Sequence, residues 1–128
     1  MNNLIVDAAR DKIFLTLIVS KNIYTCSHEN SKINFEKLMT LIDNFLSYNK
    51  STLDVLDAIY VNRGPGSFAG IRNSLATIKA LFLTKNIDYY CFSYSDFHGF
   101  DVVNHEDIPN LCEKFKIKKN LIKPIYLS

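Results

Sequence analysis

Short apolar runs rich in β-branched residues alternate with polar turns at the start of the chain. The runs are Leu4-Ile5-Val6, Ile13 to Val19 and Ile23-Tyr24-Thr25-Cys26. Runs of this length and composition, bounded by polar residues, are typical of β-strands. The pattern predicts an antiparallel three-strand meander with turns at Ala8 to Lys12 and Ser20 to Asn22.

Two later segments carry apolar residues at helical spacing. The first predicts a helix over Phe35 to Tyr48, capped by Asn34, from apolar positions at Phe35, Leu38, Leu41, Ile42, Phe45 and Leu46. The second predicts a helix over Ser67 to Asn86, from Phe68, Ile71, Leu75, Ile78 and Phe82. Each helix also carries apolar area beyond the stripe its own sheet needs, at Met39, Leu81 and Leu83. This excess favours a surface that a partner covers.

Two further apolar runs complete the order of elements. Leu56 to Val61 predicts a buried strand, and Tyr89 to Ser93 predicts another. The resulting β-β-β-α-β-α-β order indicates an α/β fold with a mixed sheet and right-handed crossovers. The stretch from Tyr94 to Lys123 is predicted to form a loop, a short helix around Asp107 to Phe115 and a return strand.

Composition narrows the class of protein. A chain of 128 residues is expected to form one domain, and its net charge of +2 does not by itself require nucleic-acid binding. The odd number of cysteines, with no close pair, favours reduced thiols over a disulfide framework; they are Cys26, Cys91 and Cys112. No apolar run approaches the roughly 20 residues of a membrane span. We therefore expect a soluble, cytoplasmic protein without a membrane partner.

The most specific segment of the chain joins a strand, a glycine turn and a helix. It runs Tyr60-Val61-Asn62-Arg63-Gly64-Pro65-Gly66-Ser67-Phe68-Ala69-Gly70-Ile71-Arg72. One interpretation is a weak phosphate site, for a nucleotide or tRNA, formed by backbone N–H groups at the helix start. The residues of this signature turn and phosphate contact are Arg63, Gly64, Pro65, Gly66, Ser67, Phe68, Gly70 and Arg72. The alternative is a tight turn in which Ser67 only caps the helix and Arg72 is a surface residue.

Other motifs fit this segment less well. Gly64-x-Gly66-x-x-Ala69 matches the dinucleotide pattern, but the unit is not first in the chain and Asp88 precedes its strand. A Walker A loop lacks its Gly-Lys-Ser/Thr, and a nucleophile elbow lacks the Gly-x-Ser-x-Gly order. None of the three histidines has the context of a catalytic triad.

Two polar clusters near the C-terminus are candidate sites. The potential metal ligands lack both a helical His pair and a thiolate, so a solvated loop without metal is the preferred interpretation; they are Asp96, His98, Asp101, His105, Glu106 and Asp107. A basic run could touch RNA backbone, although a solvated helix end is the commoner explanation; it comprises Lys114, Lys116, Lys118, Lys119 and Lys123.

The glycine segment resembles the signature G-P-G-S-F-T-G-x-R of the TsaB (YeaZ-like) family, with Ala69 in place of Thr. Leu4-Ile5-Val6-Asp7 is similar to the family's first strand, although Ala8 replaces its Thr. Pro124-Ile125-Tyr126-Leu127 resembles the Pro-x-Tyr-Leu close, with Ser128 where Arg is common. The resemblance implies a single actin-like, ribonuclease-H-like (ASKHA) lobe over residues 1–93 and a shortened remnant of the second lobe over 94–128, in one domain.

The resemblance also implies a function. TsaB-like proteins are accessory, non-catalytic subunits that pair with a TsaD-like paralogue to install threonylcarbamoyl on the adenosine next to the tRNA anticodon. The implied partners are that paralogue, a TsaE-like ATPase and tRNA through the complex, with a homodimer when the chain is alone. No cofactor is implied beyond a weak ATP or ADP contact at the partner interface. The residues assigned to that interface are Phe35, Leu38, Met39, Ile42, Ile71, Leu75, Ile78 and Phe82.

Two other functions remain open at this point. One is a glycoprotease-like serine peptidase that uses Ser67 as its nucleophile. The other is a self-contained homodimeric binding module. Against catalysis by this chain, its sequence has no positioned acid/base pair, no metal motif and no phosphate loop with its lysine.

Overall fold

Five strands form one mixed sheet at the centre of the protein. A computed structural model describes residues 1–126, so Leu127 and Ser128, the end of the predicted closing motif, lie outside the described residues. The strands are β1 (Asn2–Asp7), β2 (Lys12–Val19), β3 (Asn22–Glu29), β4 (Ala58–Asn62) and β5 (Asp88–Phe92). Their order across the sheet is β3-β2-β1-β4-β5.

The first three strands form the predicted meander. β1 pairs antiparallel with β2, and β2 pairs antiparallel with β3. β4 then lies parallel to β1, and β5 lies parallel to β4. Parallel neighbours need a long crossover between them, which the two helical segments of the chain provide. The predicted α/β class with a mixed sheet is therefore confirmed.

The first helical segment differs in detail from its prediction. It consists of α1 (Lys32–Glu36) and α2 (Leu38–Tyr48), separated at Lys37, where φ is −109°. The cap of α1 is Ser31 and not Asn34, because the Ser31 hydroxyl accepts the Asn34 N–H. The Asn34 amide instead donates to the Glu29 carbonyl, 2.8 Å away, and so ties the helix start to the end of β3.

The second helix begins and ends almost where the pattern predicts. It is α3 (Phe68–Lys85), and the Ser67 hydroxyl caps it by accepting the Gly70 N–H. Asn86 ends the helix in the left-handed conformation, a frequent role for Asn. The strand before it starts later than predicted, because Leu53–Val55 forms a short 3₁₀ turn and β4 begins only at Ala58.

The C-terminal segment contains the predicted short helix but not the predicted return strand. The helix is α4 (Ile108–Lys114). Within residues 1–126, the only extended pairing beyond it is an isolated bridge between Lys119 and Tyr90. Lys116 and Asn120 both have positive φ, 55° and 61°, so the backbone turns on each side of the bridge and cannot extend along β5.

Apolar side chains fill both faces of the sheet. One cluster packs α1, α2 and α3 on the first face, with Leu4, Leu15 and Ile78 among its buried members. The second cluster packs α4 and its flanking loops on the opposite face, around Phe92 and Ile108. Among residues 1–126, no helix is both long and apolar enough to cross a membrane.

The burial of α3 generates a stability prediction. Ile78 is 1% exposed, so Ile78→Asp places a carboxylate in the core and should lower the free energy of unfolding by about 4 kcal/mol or more. Ala80 lies on the exposed side of the same helix, and Ala80→Asp should cost no more than about 1 kcal/mol. Urea unfolding followed by circular dichroism measures both. Equal losses in the two variants would contradict the assigned helix orientation.

Candidate functional site

Two polar residues meet at the carboxyl ends of adjacent parallel strands. Asp7 ends β1 and Asn62 ends β4, and both are buried. The Asn62 amide nitrogen donates to Asp7 Oδ1 over 2.9 Å. The Asn62 oxygen in turn accepts the N–H of Gly64, also at 2.9 Å. One amide thus links the first strand to the glycine turn that follows β4.

The other carboxylate oxygen of Asp7 faces three further side chains. Asp7 Oδ2 lies 2.9 Å from the Tyr94 hydroxyl, 3.1 Å from Arg10 Nε and 3.1 Å from His105 Nε2. His105 Nδ1 lies 3.2 Å from the Thr16 hydroxyl on β2. Because Tyr94 and His105 belong to the C-terminal segment, the carboxylate fastens that segment to the sheet.

These contacts outweigh the cost of burying a charge. Burial alone raises the pKa of Asp7, since it disfavours the ionised form. The hydrogen bonds from His105 and Asn62, the positive charge of Arg10 and the Tyr94 hydroxyl act in the opposite direction. The net effect holds the pKa of Asp7 below its ordinary value. The same contact and burial raise the pKa of the Tyr94 hydroxyl, which therefore stays a hydrogen-bond donor.

The glycine turn packs directly against the chain on two sides. Gly64 has φ of 105°, and a Cβ there would lie 2.1 Å from the Ile125 carbonyl oxygen. A Cβ on Gly66 or Gly70 would lie 2.0 Å from the Ala9 oxygen or 1.8 Å from the Ala8 oxygen. These distances exclude any side chain. The glycines therefore allow this turn to pack closely against the β1–β2 turn and the C-terminal segment.

The predicted phosphate contacts are only partly available. The Arg63 side chain is 14% exposed and donates to Asp96 Oδ1 at 2.7 Å and to the Lys123 carbonyl at 3.1 Å. The Ser67 N–H donates to the Ala9 carbonyl, and the Gly64 N–H donates to Asn62. The Arg63 side chain therefore holds parts of its own chain together, at Asp96 and at the backbone of Lys123. The phosphate contact stays a prediction for Arg72, which is exposed.

A cleft of about 670 Å³ lies between α1 and the first turns of α3. Its polar and charged lining includes Ser31, Lys32, Glu36, Arg72 and Asn73. The α3 side chains that line it include Ala69 and Ala76, both exposed. The cleft thus combines small apolar side chains with a few charges on the outer side of the helix layer.

The structure changes the predicted partner interface. Most of the residues assigned to it lie in the core between the helices and the sheet: Phe35, Leu38, Ile42, Ile71, Leu75 and Ile78. These side chains hold the helices on the sheet and no partner can reach them, so their assignment to a partner surface is corrected. Met39 and Phe82 are partly exposed at the margin of the same core. Leu81 is buried, whereas Leu83 is 70% exposed.

Ser67 lacks the surroundings of a nucleophile. Its hydroxyl accepts the Gly70 N–H and caps α3. Two histidines have their ring contacts elsewhere, since His105 meets Asp7 and His28 lies 3.7 Å from the Cys26 sulfur. The third, His98, packs against the Phe115 ring. The geometry therefore does not favour the peptidase interpretation, which requires a histidine beside the serine.

The two C-terminal polar clusters are dispersed. Within residues 1–126, no group of three or more His, Cys, Asp or Glu side chains is arranged to hold a metal ion. Asp96 instead pairs with Arg63, and His105 with Asp7. In the basic run, Lys114 lies over the rings of Phe100 and Phe115, and Lys119 pairs with Asp88 at 3.7 Å.

The sequence reasoning missed the Asp7 network. One usable signal was present, because a polar residue at the end of each of two neighbouring parallel strands, Asp7 and Asn62, is expected to meet at one edge of the sheet. Tyr94 and His105 carried no comparable signal. They reach Asp7 through the path of an irregular segment, which no periodicity describes.

Comparisons with known proteins agree with this fold. A family model described as "TsaD: tRNA N6-adenosine threonylcarbamoyltransferase" matches residues 28–113. The tRNA threonylcarbamoyladenosine biosynthesis protein TsaB of Buchnera aphidicola subsp. Schizaphis graminum is 30% identical over 90 residues, which cover 70% of this chain and 43% of that protein. TsaB of Buchnera aphidicola subsp. Baizongia pistaciae is 29% identical over 89 residues, covering 61% and 40%.

Solved structures support the same fold class. YeaZ from Pseudomonas aeruginosa superposes with a TM-score of 0.66 at 20% identity, covering 72% of this chain and 43% of its own. The RuvC structure from Thermus thermophilus superposes with a TM-score of 0.54 at 10% identity, covering 92% and 82%. The fold is therefore a single actin-like, ribonuclease-H-like lobe, as predicted.

The family model covers more than half of the chain, and the chain belongs to the family it describes. Within that family it is TsaB-like, as its curated relatives show. The chain spans less than half the length of the curated relatives it matches.

The lowered pKa of Asp7 generates a pH-dependent prediction. A carboxyl whose pKa is depressed on folding stabilises the protein above its unfolded pKa of about 4, and that stabilisation is lost as the pH falls through the folded value. Asp7→Asn should therefore lower the free energy of unfolding by about 3 kcal/mol at pH 7, with a difference from wild type that shrinks below about pH 4. Urea unfolding across this pH range measures it.

The matched control for that experiment is Asp11→Asn. Asp11 is an exposed carboxylate in the turn next to the site. Its replacement should change the free energy of unfolding by less than about 0.5 kcal/mol at every pH. A gap between wild type and Asp7→Asn that stays constant from neutral to acid pH would argue against the buried charge.

Proposed function

We propose that this chain is a non-catalytic subunit of the machinery that makes threonylcarbamoyladenosine in tRNA, and that it acts by pairing with a TsaD-like protein. Family membership and the two TsaB relatives support the pathway. The observation that supports pairing with a TsaD-like protein is the outward face of α3. A TsaE-like ATPase and tRNA would reach the chain through the assembled complex.

The outward face of α3 suits contact with another helix. Its exposed residues include a set at helical spacing, Ala69, Arg72, Ala76, Ala80 and Leu83, with Lys79 beside them. Small side chains allow a second helix to approach closely, since the distance between packed helix axes depends on the side chains at the contact. Leu83, 70% exposed, supplies an apolar anchor at one end, and the cleft beside α1 lies at the other.

The polar residues at the ends of β1 and β4 support a structural role for this subunit. Asp7 is 0% exposed and is surrounded by hydrogen-bond donors of its own chain. Arg63 is held by Asp96, and Ser67 caps α3. A reacting group must be free to touch substrate. These groups instead fasten the helix layer in place, so that its outer face can bind a partner as a rigid surface.

Arg72 is the residue at which this proposal places a nucleotide contact. Its side chain is exposed beside the cleft between α1 and α3, close to the proposed partner surface. A weak ATP or ADP contact there would be shared with the partner. Residues 1–93 would form the lobe that carries this surface, and residues from 94 onwards would brace the opposite face of the sheet.

The test mixes the purified chain with the TsaD-like protein of the same organism and measures the mass of the complex by light scattering. Wild type should form a one-to-one complex. Leu83→Glu should weaken it at least about tenfold, because an exposed apolar anchor becomes a charge that the interface must bury. Leu83 is exposed, so this change should leave the fold intact.

Val102→Glu provides the matched control. Val102 is 84% exposed and belongs to the loops that pack on the other face of the sheet. The variant introduces the same charge at an equally exposed apolar position and should bind like wild type. Absence of a complex with wild type, or equal binding by both variants, would refute the α3 surface.

A further inference from the structure

Three lysines of the C-terminal segment line one narrow cleft. The cleft measures about 160 Å³ and lies beside Arg63. Two other lysines of the basic run already have partners, since Lys114 lies over aromatic rings and Lys119 pairs with Asp88. The three that line the cleft are all exposed: Lys116, Lys118 and Lys123.

The ammonium groups of these three lysines have no counter-charge of their own. Among residues 1–126, Asp96 is the one carboxylate that lines the cleft, and it pairs with Arg63 at 2.7 Å. None of the three lysines forms an ion pair within that part of the chain. A cleft lined by charges of one sign concentrates ions of the opposite sign. This cleft therefore suits an anionic ligand.

Hydrogen bonds fix the backbone that carries these lysines. The Arg63 side chain donates to the Lys123 carbonyl at 3.1 Å, and the Ile125 N–H donates to the Arg63 carbonyl at 2.7 Å. The Asn120 N–H donates to the Tyr89 carbonyl at 2.7 Å, and the Asn120 side-chain oxygen accepts the Tyr89 N–H at 2.9 Å. The segment is therefore tied to the end of β4 and to β5. Less ordering is needed when a ligand binds to a segment that is already held in place.

An exposed aromatic pair lies at the end of the same segment. Phe68, the first residue of α3, is 56% exposed, and Tyr126 is 41% exposed. The centroids of their rings are 4.8 Å apart. Tyr126 follows Lys123 closely in the chain, so their backbones are at most about 10 Å apart. Positive charge beside exposed rings is typical of sites for single-stranded nucleic acid, because every base has a face that can stack on a ring.

We propose that this surface binds an unpaired RNA strand directly, with a backbone phosphate in the cleft and a neighbouring base on the Phe68–Tyr126 pair. The lysines supply phosphate contacts, which depend on charge and not on base sequence. The aromatic pair favours an unpaired strand, since the bases of a duplex are stacked on one another. This contact goes beyond the proposed function, in which tRNA reaches the chain through the assembled complex.

The combination of cleft and rings favours RNA over other anions. An acidic protein segment would place its carboxylates near the lysines but would bring no base to the rings. A free phosphate ion would likewise use the cleft alone. An RNA strand carries a base beside each phosphate, so one ligand engages both features.

Fluorescence anisotropy of a labelled, unpaired oligoribonucleotide of about 12 nucleotides measures this contact with the purified chain. The dissociation constant should be on the order of 10 μM in about 50 mM salt. Three phosphate contacts should give a slope of about −2 for the logarithm of the binding constant against that of the salt concentration. The triple variant Lys116→Gln, Lys118→Gln, Lys123→Gln should bind at least about tenfold more weakly, with a slope near zero.

The matched control removes three exposed lysines from other parts of the surface: Lys12, Lys21 and Lys37. The triple variant Lys12→Gln, Lys21→Gln, Lys37→Gln changes the net charge by the same amount. It should lose no more than about twofold in affinity and should keep the salt slope, because distant charges are screened. Equal losses in the two triple variants would overturn the proposed cleft.

A ring variant tests the stacking contact. Tyr126→Leu removes one ring but keeps an apolar side chain beside Phe68. It should weaken RNA binding at least about fivefold and leave the salt slope unchanged, because stacking involves no phosphate. Tyr126→Phe keeps the ring and should bind like wild type. Wild-type affinity in Tyr126→Leu would overturn the proposed base contact.

Competition distinguishes RNA from other anions. Unlabelled RNA should displace the labelled strand, whereas polyglutamate or inorganic phosphate at the same charge concentration should do so at least about fivefold less effectively. Absence of RNA binding, or equal displacement by either competitor, would overturn the proposal. None of these measurements uses the TsaD-like protein, so their failure is distinguishable from a failure of the proposed pairing.

Discussion

The buried carboxylate of Asp7 is the constraint on which the rest of the structure depends. An ionised group with no exposed surface must be surrounded by donors, and here they come from separate parts of the chain: Asn62 at the end of β4, and Tyr94 and His105 in the C-terminal segment. Satisfying one charge therefore joins the central strand, the glycine turn and the segment on the opposite face. Loss of any donor leaves the carboxylate short of a partner.

The glycine turn links the Asp7 network to the helix layer and fixes the position of α3. Asn62 positions Gly64, and the close approach of Gly66 and Gly70 to the β1–β2 turn sets where α3 begins. The apolar side of α3 then faces the sheet, and its alanine-rich side faces outwards. The same glycine turn that the sequence offers as a phosphate site thus builds a rigid helix surface, which the proposed pairing with a TsaD-like protein requires.

Local signals predicted the elements of the fold better than they predicted its surfaces. Strand composition and helical spacing sufficed for the meander and for α3, whose Ser67 cap is visible in the sequence. Periodicity could not reveal the break at Lys37 or the bonds of Tyr94 and His105, because these arise from tertiary packing. It also could not say which apolar stripe faces the sheet. For that reason the interface predicted from the sequence includes residues such as Ile78, which the structure places in the core.

In the proposed complex, the helix layer on one face of the sheet binds the partner, and the C-terminal segment on the other face braces the sheet. Hydrogen–deuterium exchange of the chain with and without the TsaD-like protein tests this division most directly. We expect added protection in residues 31–36 and along α3, with exchange in residues 94–117 unchanged. Protection confined to residues 94–117 would contradict the account.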